Sequence, residues 1–131
     1  MYAACISAPK IISLKGDLGA GKTTFSKGFA EGLGIEELVT SPTFTLLNEY
    51  TYKNGNLYHF DMYRLESVEE AFELGFEEYF NTQTLNGIVL VEWAENVKGL
   101  LPKNITEITF EKTDDNTRKI IIEDKNEDTC N

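Results

Sequence analysis

The sequence is short of cysteine, histidine, arginine, cationic runs and long apolar runs, and each shortage narrows what the protein does. The two cysteines, Cys5 and Cys130, lie near opposite ends with neither a CxxC partner nor metal-ligand spacing, so they read as free thiols of a reducing cytosol. No apolar stretch approaches the roughly 20 residues needed to span a membrane. The opening "MYAACISAPK" lacks the charged start and apolar core of a signal peptide. A cytoplasmic protein with no membrane partner is therefore expected. Lys and Arg total 12 against 22 Asp and Glu, a formal charge of −10. Proteins that grip a nucleic-acid backbone present a basic patch. A basic protein partner or a metal–nucleotide complex suits this surface better, with nucleic acid reached only indirectly. The one histidine, His59, sits among aromatic residues and reads as packed core.

What is present fits one domain over residues 1–131, with 41% apolar residues to build a small core. "KIISLK" (Lys10 to Lys15) is a short, β-branched, buried strand ending at Gly16. From Lys22 to Leu33 the apolar residues Phe25, Phe29, Ala30 and Leu33 fall on one helical face, and Gly32 and Gly34 supply the stop. Two aromatic and β-branched runs flank "KNGN", and Asn54-Gly55 predicts a tight hairpin turn pairing Thr43–Tyr52 with Leu57–Tyr63. "SVEE" (Ser67 to Glu70) has the spacing of a capping box and opens a helix through "AFELGFEEYF". "GIVLVEW" (Gly87 to Trp93) is the apolar run of a buried parallel strand, ending in an acid. "NITEITFEK" and "TRKIIIE" form a last hairpin around Asp114-Asp115-Asn116, and the polar tail 124–131 is expected to fray. No internal repeat is visible. The order strand–loop–helix, hairpin, helix, strand, hairpin gives an α/β domain: a mostly parallel central sheet with added antiparallel hairpins.

One stretch carries chemistry. Gly16-Asp17-Leu18-Gly19-Ala20-Gly21-Lys22-Thr23 satisfies G-x-x-x-x-G-K-[ST] without a gap, after a strand and before a helix. Glycines let successive backbone N–H groups curl around an anion. The following helix adds its unpaired N–H groups and the positive end of its dipole. In such a loop Lys22 reaches the β- and γ-phosphates and the Thr23 hydroxyl becomes a magnesium ligand.

A phosphate cradle also needs acids for the metal. Glu92 closes the buried strand at the position where a parallel sheet delivers side chains to a site. Asp61, in "YHFDMYRL", is an acid among aromatics. Thr43 in "SPTF" follows Pro42, which stiffens the segment. Its hydroxyl completes the metal shell or senses the γ-phosphate, as switch loops do, or the residue simply begins a strand. Trp93 either stacks on a ligand or fills core.

"GDLGAGKTTF", "SPTFTLLNEY", "LYHFDMYRL" and "VLVEWAE" occur in an order and spacing that closely resemble the TsaE (YjeE) family, over Lys10 to Glu123. The glycine loop alone is common to many nucleotide-binding proteins; the other three segments are far more specific. The resemblance implies a P-loop fold that binds ATP and magnesium and hydrolyses ATP slowly. It implies docking on a complex of TsaB and TsaD, of which TsaD transfers threonylcarbamoyl to adenosine 37 of tRNA. Carried over by position, Asp17, Gly19, Ala20, Gly21, Lys22, Thr23 and Thr24 hold the phosphates. Thr23 and Glu92 hold magnesium with Asp61 nearby, Thr43 lies in the switch-like segment, and Arg118 flanks the nucleotide. Family members carry a further strand and helix before the glycine loop's strand, and "MYAACISAP" does not resemble it. Part of the adenine pocket and one sheet edge are expected to lack that cover.

Phosphoryl transfer to water needs positioning and charge neutralisation more than covalent help. Lys22, magnesium and the loop amides are expected to neutralise the β–γ oxygens, and Asp61 or Glu92 to orient water. Arg64, Arg118 or a partner supplies any arginine finger. Two other classes use the same loop. A small metabolite kinase would want a lid with several arginines, and this chain has only two arginines. A non-catalytic module, whose nucleotide only sets a shape, agrees with the acidic surface.

Overall fold

In the computed structural model, which describes residues 10–16, 22–36, 42, 45–53, 55–112 and 118–124 without the side chains of Thr23, Lys112, Arg118 and Asp124, ten elements follow one another. They are β1 (Lys10–Gly16), α1 (Lys22–Gly32), β2 (Leu47–Tyr52), β3 (Gly55–Asp61), α2 (Val68–Glu73), a 3-10 turn (Phe76–Phe80), β4 (Gly87–Glu92), a second 3-10 turn (Ala94–Val97), β5 (Thr106–Lys112) and β6 (Arg118–Asp124). The strands form one sheet in the order β2-β3-β4-β1-β5-β6. β3, β4, β1 and β5 are parallel, and β2 and β6 close the edges as antiparallel partners of β3 and β5. The most apolar strands are central because only there are both faces covered. β4 is buried at every position, and β1 is buried from Ile11 to Leu14.

The alternation of side chains divides the core in two. On one face, Ile12, Leu14, Leu57, Ile88, Leu90, Ile108 and Phe110 pack under Phe29 and Ala30 of α1. Phe25 and Leu33 pack against the same cluster, so the predicted helical face is the one used. On the other face, Ile11, Phe60, Val89 and Val91 meet Ala71, Phe76, Phe80, Ala94 and Val97. Phe60 anchors that side, with ring centroids 5.0 Å from Phe76, 5.4 Å from Tyr79 and 5.2 Å from Phe80.

Three boundaries differ from expectation. The first hairpin is shorter, and Gly55 pairs directly with Tyr52 in place of forming the turn; Asn54 lies outside the described residues. Gly55 is a strand residue with φ at 155°, and a Cβ there would stand 3.0 Å from the Asn86 carbonyl oxygen. The predicted single helix after Ser67 breaks into α2 and a 3-10 turn at Gly75, which adopts φ 77°. The expected capping box gives way to a contact shifted by one residue. Ser67 caps α2 in an extended conformation without a side-chain hydrogen bond, and Glu70 Oε1 accepts from the Glu66 backbone N–H at 3.1 Å. The tail beyond residue 124, residues 113–117 with the expected turn at Asp114-Asp115-Asn116, and residues 1–9 lie outside the described residues. No described helix is long and apolar enough to cross a membrane.

Candidate nucleotide and metal site

The carboxyl ends of β1, β3 and β4 finish side by side. In register, Glu92 pairs with Leu14 of β1 on one side and with Asp61 of β3 on the other. Two acids far apart in sequence therefore become neighbours at the sheet's carboxyl edge. From β1 the chain turns into α1 on one face; from β4 it turns into the Ala94–Val97 segment on the other. Ligands in open α/β sheets bind at such a divergence.

The described ends of the glycine loop, Gly16 and Lys22, meet this edge. The loop's first residue, Gly16, has φ 143°, and a Cβ there would stand 2.6 Å from the Phe110 carbonyl oxygen, so glycine is demanded by the close approach of β5. Asp17, Gly19, Ala20 and Gly21 lie outside the described residues, as does Thr43. Lys22 and Thr23 open α1, with Thr24 exposed beside them. The loop's two ends thus stand where a strand gives way to a helix, as the motif requires.

Lys22 is only 6% exposed. Its Nζ lies 4.8 Å from the centre of the Trp93 ring, within cation–π range. Trp93 reaches that position with a left-handed backbone, φ 61° and ψ 37°, an uncommon conformation for a bulky residue that marks a site of strain. Tyr63 packs edge-on against the same ring at 5.0 Å. Asn96 ties the two strand exits together, donating from Nδ2 to the carbonyls of Met62 at 3.1 Å and Tyr63 at 3.2 Å.

Asp61 and Glu92 are each 5% exposed. Burial pushes the Asp61 carboxyl above its ordinary value; the neighbouring Glu92 adds to this, while the Tyr63 backbone N–H, His59 and Lys22 pull it back. That N–H donates to Asp61 Oδ1 at 3.0 Å. His59 Nε2 stands 2.8 Å from Glu92 Oε2, with both side chains buried. Pro42 and Leu46 are tied to this edge: Leu46 N–H donates to the Pro42 carbonyl at 2.8 Å, and Asp61 N–H donates to the Leu46 carbonyl at 3.0 Å.

The donors suit magnesium. Two hard carboxylates are buried together with excess negative charge, which a divalent cation would relieve. Among the described residues no three His, Cys, Asp or Glu side chains form a complete cage. Magnesium does not ask for one, since it takes one or two protein oxygens and completes its shell with phosphate and water.

Of the predicted residues, Lys22, Asp61 and Glu92 converge. Arg118 begins β6 opposite Lys112, at the same end of the sheet but two strands away from β1. Arg64 is exposed just beyond β3. Sequence reasoning misses His59 as a site residue. It is indeed packed, at 1% exposure, yet it is bonded to Glu92. The available signal is the two-residue spacing that sets His59 and Asp61 on one face of β3.

These features define a P-loop-type α/β protein. The family model of the threonylcarbamoyl adenosine biosynthesis protein TsaE matches residues 1–120, and the chain belongs to that family. It is 49% identical over 110 residues to the tRNA threonylcarbamoyladenosine biosynthesis protein TsaE of Bacillus subtilis, covering 84% of this chain and 66% of that one. The same-named proteins of Haemophilus influenzae and Rickettsia typhi are 43% and 40% identical; the matches cover 80% and 96% of this chain and 65% and 85% of theirs. The chain thus spans just under two thirds of the Bacillus and Haemophilus relatives. The crystal structure of Bacillus subtilis YdiB is similar, with a TM-score of 0.73 at 42% identity over 90% of this chain and 70% of that one.

Proposed function

We propose that this protein binds ATP with magnesium, hydrolyses it slowly, and serves threonylcarbamoyladenosine formation on tRNA by acting on a TsaB–TsaD complex. The observation that carries the reading is the meeting of Asp61, Glu92 and the start of α1 at Lys22 on one sheet edge. Membership of the TsaE family supports the biological context.

In this reading the loop from Gly16 to Thr23 presents amides to the phosphates, and Lys22 exchanges the Trp93 ring for the β–γ oxygens. Thr23, Glu92 and Asp61 would hold magnesium, which when bound supplies positive charge to those oxygens. Asp61 or Glu92 orients the attacking water. Thr43, which follows Pro42 in the sequence, would respond to the γ-phosphate. The acidic surface keeps tRNA at a distance, so contact with it runs through the partner proteins. The exposed Phe72 and Leu74 at the end of α2 suit docking on protein.

Binding of labelled ATP and GDP with magnesium, alone and with TsaB–TsaD, tests this. Lys22→Ala is expected to abolish magnesium-ATP binding; unchanged affinity would refute the cradle. Phosphate release that rises on adding the pair supports an ATPase. Equal background release with and without the pair would make the protein a nucleotide-dependent interaction module instead.

A further inference from the structure

We infer that His59 is a positioning residue for Glu92: its ring holds one carboxylate oxygen so that the other is presented to the divalent-metal shell of a bound nucleotide. This rests on the nucleotide reading above and adds a residue to it.

His59 is 1% exposed on the α1 face of β3, directly beside Leu90 of β4 in register. A leucine would suit such surroundings without any polar cost. The imidazole instead leaves Nδ1 with no hydrogen-bond partner among the described residues. A buried polar atom left unpaired is destabilising. What offsets it is the other nitrogen, 2.8 Å from Glu92 Oε2. A carboxylate accepts only, so Nε2 carries a proton and donates it to Glu92.

The consequence is geometric. A glutamate side chain has three torsions and a freely turning carboxylate. The imidazole ring is rigid and is carried by a strand paired on both sides, with β2 and β4. One short bond from it fixes the rotation of the Glu92 carboxylate and occupies Oε2, leaving Oε1 as the oxygen that faces a cation. Outer-shell partners of this kind commonly set metal affinity by about 10–100-fold without touching the metal.

The test uses the intact chain with His59→Gln, His59→Asn and His59→Leu. The amide nitrogen of Gln reaches the place of Nε2; that of Asn reaches only the place of Nδ1. Mn2+ serves as the spectroscopic substitute for Mg2+, its affinity for the ATP-loaded protein read by electron paramagnetic resonance, and ATP affinity is read separately in EDTA. We expect His59→Gln to stay close to the parent and His59→Asn and His59→Leu to bind Mn2+ about tenfold more weakly, all with unchanged ATP affinity in EDTA. In a Glu92→Gln background the same substitutions are expected to have no further effect on Mn2+. Equal Mn2+ affinity in all variants would overturn the inference, as would Gln as weak as Asn, or a parallel loss of ATP affinity in EDTA. Should Leu fail to fold, the Gln–Asn comparison decides alone. A parent protein that binds no Mn2+–ATP would remove the nucleotide site itself, a failure distinguishable from that of His59.

Discussion

The Lys22 ammonium rests 4.8 Å from the centre of the Trp93 ring, and Trp93 adopts a left-handed backbone to put its ring there. The lysine that a phosphate would claim is therefore parked on an aromatic face. The contact is worth about 0.5–2 kcal/mol, little enough for an incoming polyphosphate to displace.

Trp93 is the only tryptophan, so its emission reports this exchange. Titration with magnesium-ATP is expected to change the intrinsic fluorescence saturably as the ammonium leaves the ring. In Lys22→Ala the nucleotide-dependent change is expected to vanish. A saturable change that persists in the variant would show that the ring senses something else.

Asp61 should make the ligand-free protein less stable at neutral pH. Burial raises its folded pKa above the ordinary 3.8. Between the unfolded and folded values the folded state holds the extra proton. Stability contributed by that proton is present below the unfolded value and is lost as pH rises through the folded one. Asp61→Asn keeps an oxygen for the Tyr63 N–H and removes the buried charge. In EDTA it is expected to melt above the parent at neutral pH, with the gap closing on acidification toward the ordinary carboxylate range, while magnesium-dependent ATP binding weakens. Melting curves across that range check the sign.

Two glycine substitutions should move stability in opposite directions. At Gly87, φ is 140° and a Cβ would fall 1.8 Å from the Asn56 carbonyl oxygen across the β3–β4 pairing. Gly87→Ala is expected to cost at least about 3 kcal/mol. Gly28 lies within α1, and a methyl group there would meet nothing within 4 Å, so Gly28→Ala is expected to gain about 0.5–1 kcal/mol. Urea unfolding midpoints measure both.

Phe60 is fully buried at the centre of three other aromatic rings. Phe60→Ala is expected to cost about 3–5 kcal/mol. Because Asp61 follows it directly on β3, looser metal-dependent ATP binding should accompany the lower unfolding midpoint.

Much of the fold is legible because it follows from local rules. "GIVLVEW" reads as a central parallel strand, since a strand covered on both faces is apolar almost throughout. The face of α1 follows from the spacing of Phe25, Phe29 and Ala30. Gly55 reads as a turn residue because Asn54-Gly55 has the strongest turn chemistry nearby, yet it pairs with Tyr52 as part of β3. Gly55 is in fact required by the backbone of Asn86 on the neighbouring side, a non-local cause. The helix after Ser67 reads as continuous because its apolar spacing continues through Gly75, where the backbone turns left-handed.

In the candidate site, the motif locates Lys22 and the acidic strand end locates Glu92, both from short-range pattern. His59 carries no such pattern. Its bond to Glu92 crosses 33 positions and exists only because β3 and β4 are adjacent and parallel in one register. The pose of Trp93 is likewise hidden, since a positive φ at tryptophan runs against its local preference and is imposed by the packing around it.

By itself, then, the amino-acid order determined which segments become strands and helices, where the phosphate-type loop falls and which acid ends the central strand, because periodicity and glycine spacing act within a few residues. Only the assembled sheet decided that Asp61 stands beside Glu92, that His59 holds Glu92 and that Trp93 shelters Lys22. Those contacts depend on strand neighbours and register, which are selected by burying the whole apolar surface at once and not by any single segment.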